Sequence, residues 1–437
     1  MKNIILFLTI LFSLSSFSQE FDKTKLDEYF NTLDENNKFM GSVAVSKNGE
    51  IIYLKSIGFA DIDNRQKATK DTKYRIGSIS KSFTAVLVLN AYESKKIKLN
   101  QTINKWFPTI KYSDLITIKN LLNHRSGINN FTNDLKYFSY NTHPKTEEEM
   151  IKIIEVGGNN FIPDTKTEYS NSNYLLLTYI LEKIYMKSYS DLIDQLIVKP
   201  INLKNTYVFD KIDVSKNESM SYKYLGSWKE EPQTHFSVPL GAGAIISTPI
   251  DLTKFADALF SFKLLSKETL EIMKEIEEGF GFGLFQIPFY NKVGFGHNGG
   301  IDGFSSVYSY FPEDNISYAL TSNGTNMNNN DISISVLSAI YQKPYNIPEF
   351  NFFKPENLDL YLGIYSSKET PIKITITKDF GTLILQGSGQ PPFALEATNK
   401  DLFTLDQVGA KLEFNSENNS FTLLQGGMQI LFEKEQP

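Results

Sequence analysis

The sequence predicts an α/β (α+β) domain followed by a small all-β module. Three observations carry that expectation: a pair of strand-like runs near the start, a central region of helical apolar runs, and a switch beyond residue 355 to short β-like runs between turn residues. A length of 437 residues exceeds what one hydrophobic core usually organises, which favours one large domain with an appendage, or two domains.

In chain order, a helix is expected over Phe21 to Leu33. Gly41 to Leu54 reads as two strands around Asn48-Gly49, a dipeptide suited to a tight hairpin turn. Thr84 to Tyr92 is nearly all apolar and long enough for a helix buried on most sides. Residues 100–200 alternate helical patterns, such as Tyr174 to Ile184, with polar loops. Strand-like runs return at Ser305 to Tyr310 and Ile316 to Thr321, and a helix over Ile332 to Tyr341 closes a domain assigned to residues 19–343. Residues 344–355 contain three prolines and no periodicity, which predicts an ordered linker. From 356 to 437, short runs (Ile372 to Thr377, Leu383 to Leu385, Leu402 to Leu405, Lys411 to Phe414, Phe421 to Leu424, Met428 to Phe432) recur between Gly, Asn, Asp and Ser, the pattern of an antiparallel β-module.

Composition narrows the function classes. With 41% hydrophobic and 22% charged residues the chain can bury a core. A formal charge of −6 gives no electropositive field for a phosphate backbone, so no nucleic-acid partner is expected. Met1-Lys2-Asn3, the apolar run Ile4 to Leu14 and Ser15-Ser16-Phe17-Ser18 read as a secretory signal peptide over residues 1–18, giving an exported protein, periplasmic or extracellular. The run is shorter than the roughly 20 apolar residues of a membrane span, so no stable insertion is expected after cleavage. The absence of cysteine removes disulfides, a thiol nucleophile and thiolate metal sites. The four histidines, at 124, 143, 235 and 297, show no metal-ligand spacing, so neither a metal nor a cofactor is expected. G-x-S-x-G, the nucleophile-elbow signature, is missing.

Chemistry concentrates in three segments. In Gly77-Ser78-Ile79-Ser80-Lys81 a serine and a lysine three apart at a helix start share one face, and no other serine here has lysine at that spacing. A serine hydroxyl needs a neighbour to take its proton, and an amine serves if burial or nearby positive charge depresses its pKa. Alone, the pair also fits a helix cap followed by a solvated lysine. Tyr169-Ser170-Asn171 lies on a loop tip before a helix. Tyrosine near its reference pKa of about 10 is a poor base, but a lysine ammonium close by is expected to lower it. The Asn171 amide can donate and accept toward a peptide-like group; taken alone, the tripeptide reads more simply as a turn with one packed tyrosine. Gly294 to Gly303, including His297, Asn298, Gly299 and Gly300, has glycines spaced to let backbone approach a ligand and offer N–H groups to an oxyanion; a flexible loop is the alternative.

Together and in this order, the segments resemble the serine β-lactamase and penicillin-binding protein family, nearest its class C branch, with its related esterases, D-aminopeptidases and D,D-peptidases. The resemblance spans roughly residues 25 to 343. It extends to Leu121-Leu-Asn-His124-Arg-Ser126-Gly127, similar to a leucine-leucine-x-histidine-x-serine-glycine turn, and to Gly241-Ala-Gly243 before a helix. The resemblance implies an antiparallel sheet flanked by helices and joined to a mostly helical subdomain, with the site at their junction. It further implies that Ser78 is the acylated nucleophile, Lys81 its proton partner, and Tyr169 base for attack and acid for the leaving group. Asn171 would orient the substrate, the N–H groups of Ser78 and Gly300 beside Gly299 would form the oxyanion hole, and His297 would replace the lysine of the β-lactamase lysine-threonine-glycine triad. Neutral histidine there weakens the grip on a substrate carboxylate, an argument against an efficient β-lactamase. His124 reads as structural, bonding backbone near the site. Asp164 stands where many relatives have glycine. The C-terminal module, opening with Leu360-Tyr-Leu-Gly-Ile-Tyr, looks like the small β-barrel-like domains that follow some of these hydrolases, to cap the cleft, bind a partner or stabilise. The expected function is an exported serine hydrolase of small peptide, ester or β-lactam-like substrates, more a peptidase or esterase than a β-lactamase. The alternatives are a genuine class C-like β-lactamase and a non-catalytic cell-wall-binding or sensing protein.

Overall fold

The computed structural model describes residues 21–350 and 353–436; the expected signal peptide over residues 1–18 lies outside them. Strands β1 (Phe39–Lys47), β2 (Glu50–Ile57), β3 (Phe285–Phe289), β4 (Lys292–Ile301), β5 (Phe304–Phe311) and β6 (Ile316–Thr325) form one antiparallel sheet in the order β3-β4-β5-β6-β1-β2. The early hairpin and the late strands are thus one sheet, joined where β1 pairs with β6. Asn48 (φ 53°) and Gly49 (φ 82°) make the hairpin turn between Lys47 and Glu50, both in the left-handed region that Asn-Gly tolerates.

Helices cover both faces, so β1 is buried from Phe39 to Ser46 instead of alternating with solvent. One face carries Val43 and Val45 against α1 (Lys23–Glu35) and a helix at Asn329–Ile340, through Leu26, Phe30, Ile332 and Val336. On the other side lies the helix Pro249–Phe260, whose Asp257 accepts hydrogen bonds from Ser46 Oγ (2.6 Å) and Ser317 Oγ. The mostly helical subdomain packs around α2 (Ser80–Glu93) and α3 (Asn171–Tyr185). Leu87, Leu176, Ile180 and Phe255 belong to its core, and α2 is buried all round, as its unbroken apolar run requires.

Beyond residue 356 the chain forms a closed eight-stranded antiparallel barrel from Gly363–Ser366 to Met428–Lys434, closed where Tyr365 pairs with Lys434. Closure leaves no strand edge unpaired. Two strands, Gly363–Ser366 and Phe393–Asn399, fall outside the apolar runs read from the sequence; their inward positions are too few to make a periodic signal. Aromatic rings, including Tyr361, Tyr365, Phe403, Phe414 and Phe421, fill the interior. The barrel docks on the end of the sheet through Lys38, whose fully buried ammonium bonds Glu396 (2.5 Å) and Asp406 (3.0 Å) under the ring of Phe350. Gln407 Nε2 adds a bond to the Thr325 carbonyl (2.7 Å).

Candidate active site

From Tyr74 to Leu89 every residue is buried except Ser78, which surfaces in a 3-10 turn, Gly77–Ile79, at the head of α2. That turn lies in the angle between the sheet and the helical subdomain. Gly77 takes φ +49°, and a Cβ there would stand 2.7 Å from Gly300 N. Only glycine lets the turn press against β4. Gly299 is equally constrained, since its Cβ would meet the Ile76 carbonyl at 2.1 Å and Ser78 N at 2.9 Å. Gly294 to Ile301 is strand, not flexible loop, and it carries Gly300 to the rim of the cleft beside Ser78.

The Ser78 Oγ lies 3.0 Å from Lys81 Nζ and 2.8 Å from the Tyr169 hydroxyl. Lys81 also donates to Asn171 Oδ1 (2.7 Å) and to the Ala242 carbonyl (2.7 Å). Among the described residues no carboxylate compensates its charge, and burial holds its pKa well below the ordinary lysine value. A neutral Lys81 amine that donates to these two fixed acceptors points its lone pair at Ser78. Tyr169 departs from expectation: its pKa is pushed up to about 12, not down, because burial disfavours the phenolate more than the Ser78 hydrogen bond helps it. Burial disfavours the very ammonium that was to lower it. Tyr169 therefore keeps its proton and Lys81 readily gives one up.

Asn171, the first residue of α3, is held at both ends. Its Oδ1 receives Lys81, its Nδ2 donates to Thr132 Oγ1 (3.1 Å), and its backbone N–H bonds Asn130 Oδ1 (3.1 Å). His124 is buried, and its Nδ1 accepts the Ser170 N–H (3.1 Å) while its ring packs 4.6 Å from that of Tyr169. His297 is 2% exposed. Its Nδ1 donates to the Asn298 carbonyl (2.5 Å), and its ring packs 4.3 Å from Phe285. Burial first, and the nearby Lys81 second, lower its pKa to about 3, so it is neutral. It is absent from the surface of the cleft, which Ser78, Asn171 and Gly300 line. Asp164 bonds Arg125 Nε (2.8 Å) in the loop before Tyr169, and its φ of +67° is one a glycine would adopt freely.

The cleft has a volume of about 920 Å³ and is walled by Phe131, Thr132, Tyr222, Glu231, Thr234 and Asp302 of the first domain, and by Phe393, Gln407 and Val408 of the barrel. Sequence reading missed the Ala242 carbonyl and Thr132; it offered the C-terminal module as a cap on the cleft but named none of the residues, Phe393, Gln407 and Val408, by which the barrel walls it. Gly241 to Gly243 carried a motif signal without a role; Thr132 and Phe393 carried none. Among the described residues no group of histidine and carboxylate side chains is placed to hold a metal ion.

This fold, with a serine between a buried amine and a tyrosine, defines a class: serine hydrolases. The family model described as Beta-lactamase matches residues 26–340, and the chain belongs to that family. Penicillin-binding protein 4* of Bacillus subtilis (strain 168) is 24% identical over 92% of this chain and 97% of its own length. Teichoic acid D-alanine hydrolase of Staphylococcus aureus (strain MRSA252) is 27% identical over 74% of this chain and 83% of its own. Among solved structures, D-amino acid amidase from Ochrobactrum anthropi SV3 is similar at a TM-score of 0.64 and 26% identity, covering 72% of this chain and 98% of the amidase. The octameric penicillin-binding protein homologue from Pyrococcus abyssi shares the fold over 94% of this chain and all of its own, at a TM-score of 0.66 and 24% identity.

Proposed function

We propose that the protein is an exported hydrolase of small amide or ester bonds, with D-aminoacyl amides and esters as the leading substrate class. Ser78 is the nucleophile. The observation that carries the reading is the convergence of Lys81 Nζ and the Tyr169 hydroxyl on Ser78 Oγ. Lys81 takes the Ser78 proton as Oγ attacks the substrate carbonyl, and the Ser78 and Gly300 N–H groups receive the oxyanion. Tyr169, protonated at neutral pH, donates to the leaving amine or alcohol as its bond to the acyl carbon breaks. The proton held by Lys81 then passes to the Tyr169 phenolate, which restores both groups. Water attacks the Ser78 ester with Lys81 taking its proton, and that proton returns to Ser78 Oγ as the acid leaves. Asn171 aims Lys81, and its place on the cleft surface leaves it beside the bound acyl group.

Two observations support the substrate class. Relatives similar to this chain are named for a D-amino acid amide and for D-alanine on teichoic acid. His297 is buried and neutral, which withholds the cation that would grip a β-lactam carboxylate. Export rests on the signal-peptide pattern of residues 1–18, and N-terminal sequencing of the protein recovered outside the cytoplasm tests it.

Ser78→Ala should abolish turnover of p-nitrophenyl esters and D-aminoacyl amides and labelling by a fluorophosphonate. Wild-type turnover in that variant rules Ser78 out as the nucleophile. In a panel adding D-Ala-D-Ala peptides and nitrocefin, the aminoacyl compounds should be cleaved fastest. Rapid nitrocefin hydrolysis would restore the β-lactamase reading, and an intact protein that takes no label yet binds cell-wall fragments would mark a binding protein.

A further inference from the structure

Two backbone N–H groups from distant parts of the chain, those of Ser78 and Gly300, must stand at one separation to hold a single oxygen between them. Direct packing of Gly77 and Gly299 sets part of that separation, and Ser306 Oγ adds a hydrogen bond to the Ile76 carbonyl (2.8 Å). Each segment is also held from its flank by a charged side chain. Arg75 ends a short strand just before the Ser78 turn, and Asp302 follows β4 just after Gly300. Arg75 Nη1 meets Asp302 Oδ2 at 2.9 Å, with the side chains 1% and 3% exposed.

The rest of the hub leaves little play. Arg75 Nη1 also donates to the Thr234 carbonyl (3.0 Å) and Nη2 to the Asp210 carbonyl (3.0 Å), while the guanidinium lies 3.9 Å from the centre of the Phe209 ring. Asp302 Oδ1 accepts the Thr234 N–H (3.1 Å) and hydroxyl (2.6 Å). Asp302 itself sits at φ +53° in the β4–β5 turn, where the carboxylate's bonds hold it. A buried ion pair is weak as a source of net stability, because desolvation offsets much of its attraction. The planar guanidinium, in contrast, fixes a distance well, because its two Nη atoms are tied at once to the Asp302 carboxylate and to the Thr234 and Asp210 carbonyls.

We infer that Arg75 and Asp302 are positioning residues of the oxyanion hole: their ion pair sets the separation of the Ser78 and Gly300 N–H groups. The inference rests on the reading of Ser78 as nucleophile. Charge on the substrate oxygen is small in the bound ester and large in the tetrahedral intermediate. A mis-set hole therefore lowers kcat and leaves substrate affinity nearly intact.

The test is Asp302→Asn, which keeps the side chain's shape and removes its charge. With a p-nitrophenyl ester, kcat should fall about 10²-fold while KM stays within about threefold. Affinity for an alkyl boronic acid, whose tetrahedral adduct on Ser78 places an oxygen in the hole, should fall in parallel. Arg75→Lys, which keeps charge but loses the fork, should show a smaller loss with the same split. Asp302→Asn with wild-type kcat, a loss carried by KM, or unchanged boronate affinity alongside reduced kcat each overturns the inference. Should Asp302→Asn not fold, Arg75→Met combined with Asp302→Leu removes both charges and is read in the same way. Ser78→Ala separates the two claims: activity in that variant overturns the reading of the site, whereas an inactive Ser78→Ala beside a fully active Asp302→Asn overturns only the positioning role.

Discussion

Ser78, Lys81 and Tyr169 divide one proton's work because burial acts on their charged forms in opposite senses. It strips the proton from the amine and keeps it on the phenol. The acylation rate of an activated ester should therefore rise with pH as Lys81 deprotonates, then level off well below the roughly 10.4 at which an ordinary lysine does so. Stopped-flow rates still climbing at that pH would show an unperturbed lysine. Lys81→Ala should slow acylation by about 10²–10⁴-fold. The buried histidines give a second pH signature. His297, at about 3, stays neutral while its unfolded counterpart takes a proton below about 6.5, so the unfolded state binds more protons in that window. That contribution is complete above the unfolded value and is lost as pH falls, at about 1.4 kcal/mol per unit between about 6.5 and 3. His124 is shifted in the same direction by its own burial. Urea midpoints at pH 7 and pH 5 should show the loss, and His297→Asn should reduce it to the part that His124 contributes.

At the scale of elements, the site is a contact between a turn and a strand. Gly77→Ala puts a methyl against the Gly300 backbone, so it should cost about 1–3 kcal/mol of stability and about 10²-fold or more in kcat. Gly49→Ala is the control: the residue also has positive φ, but nothing lies within 4 Å of its Cβ position. It should cost about 1–2 kcal/mol of backbone strain and leave kcat unchanged. Equal activity losses in the two variants would mean that general destabilisation, not the close approach, governs catalysis. The elements themselves were legible to different degrees. The helix expected from Thr84 to Tyr92 spans Ser80–Glu93, a length beyond the usual buried strand, and it satisfies its backbone internally. Gly294 to Ile301 gave no strand signal, because its glycines serve close approaches, Gly294 to the Phe311 ring, Gly296 to the Tyr308 carbonyl and Gly299 to Ile76 and Ser78, and not a β pattern.

Across the whole molecule, the barrel is part of the cleft. Phe393, Gln407 and Val408 face the same space as Ser78, and Lys38 latches Glu396 and Asp406, which neighbour those wall residues in the chain. Lys38→Met leaves two partly exposed carboxylates without their cation, which should cost about 2 kcal/mol, less than for a fully buried pair. The loss should appear as faster proteolysis in residues 344–355, with fluorophosphonate labelling of Ser78 retained because the reacting groups lie in the other domain. Substrates long enough to reach Phe393 should lose turnover while p-nitrophenyl acetate does not. Identical loss for long and short substrates would sever the barrel from the cleft.

The chain by itself determined the local pieces. Periodicity marks the helices and most strands, Asn48-Gly49 marks its turn, and the unique serine-lysine spacing at a helix start places two reacting groups on one face, since that contact depends only on helical geometry. Everything that depends on contacts between distant residues was decided by the tertiary structure. Thr132 and the Ala242 carbonyl join the site, the imidazole of His297 leaves the cleft surface, and Tyr169 shifts upward instead of downward. The physical reason is common to all three: a pKa or a hydrogen-bond partner follows from what surrounds a group and how far water is excluded, and neither is written in neighbouring residues.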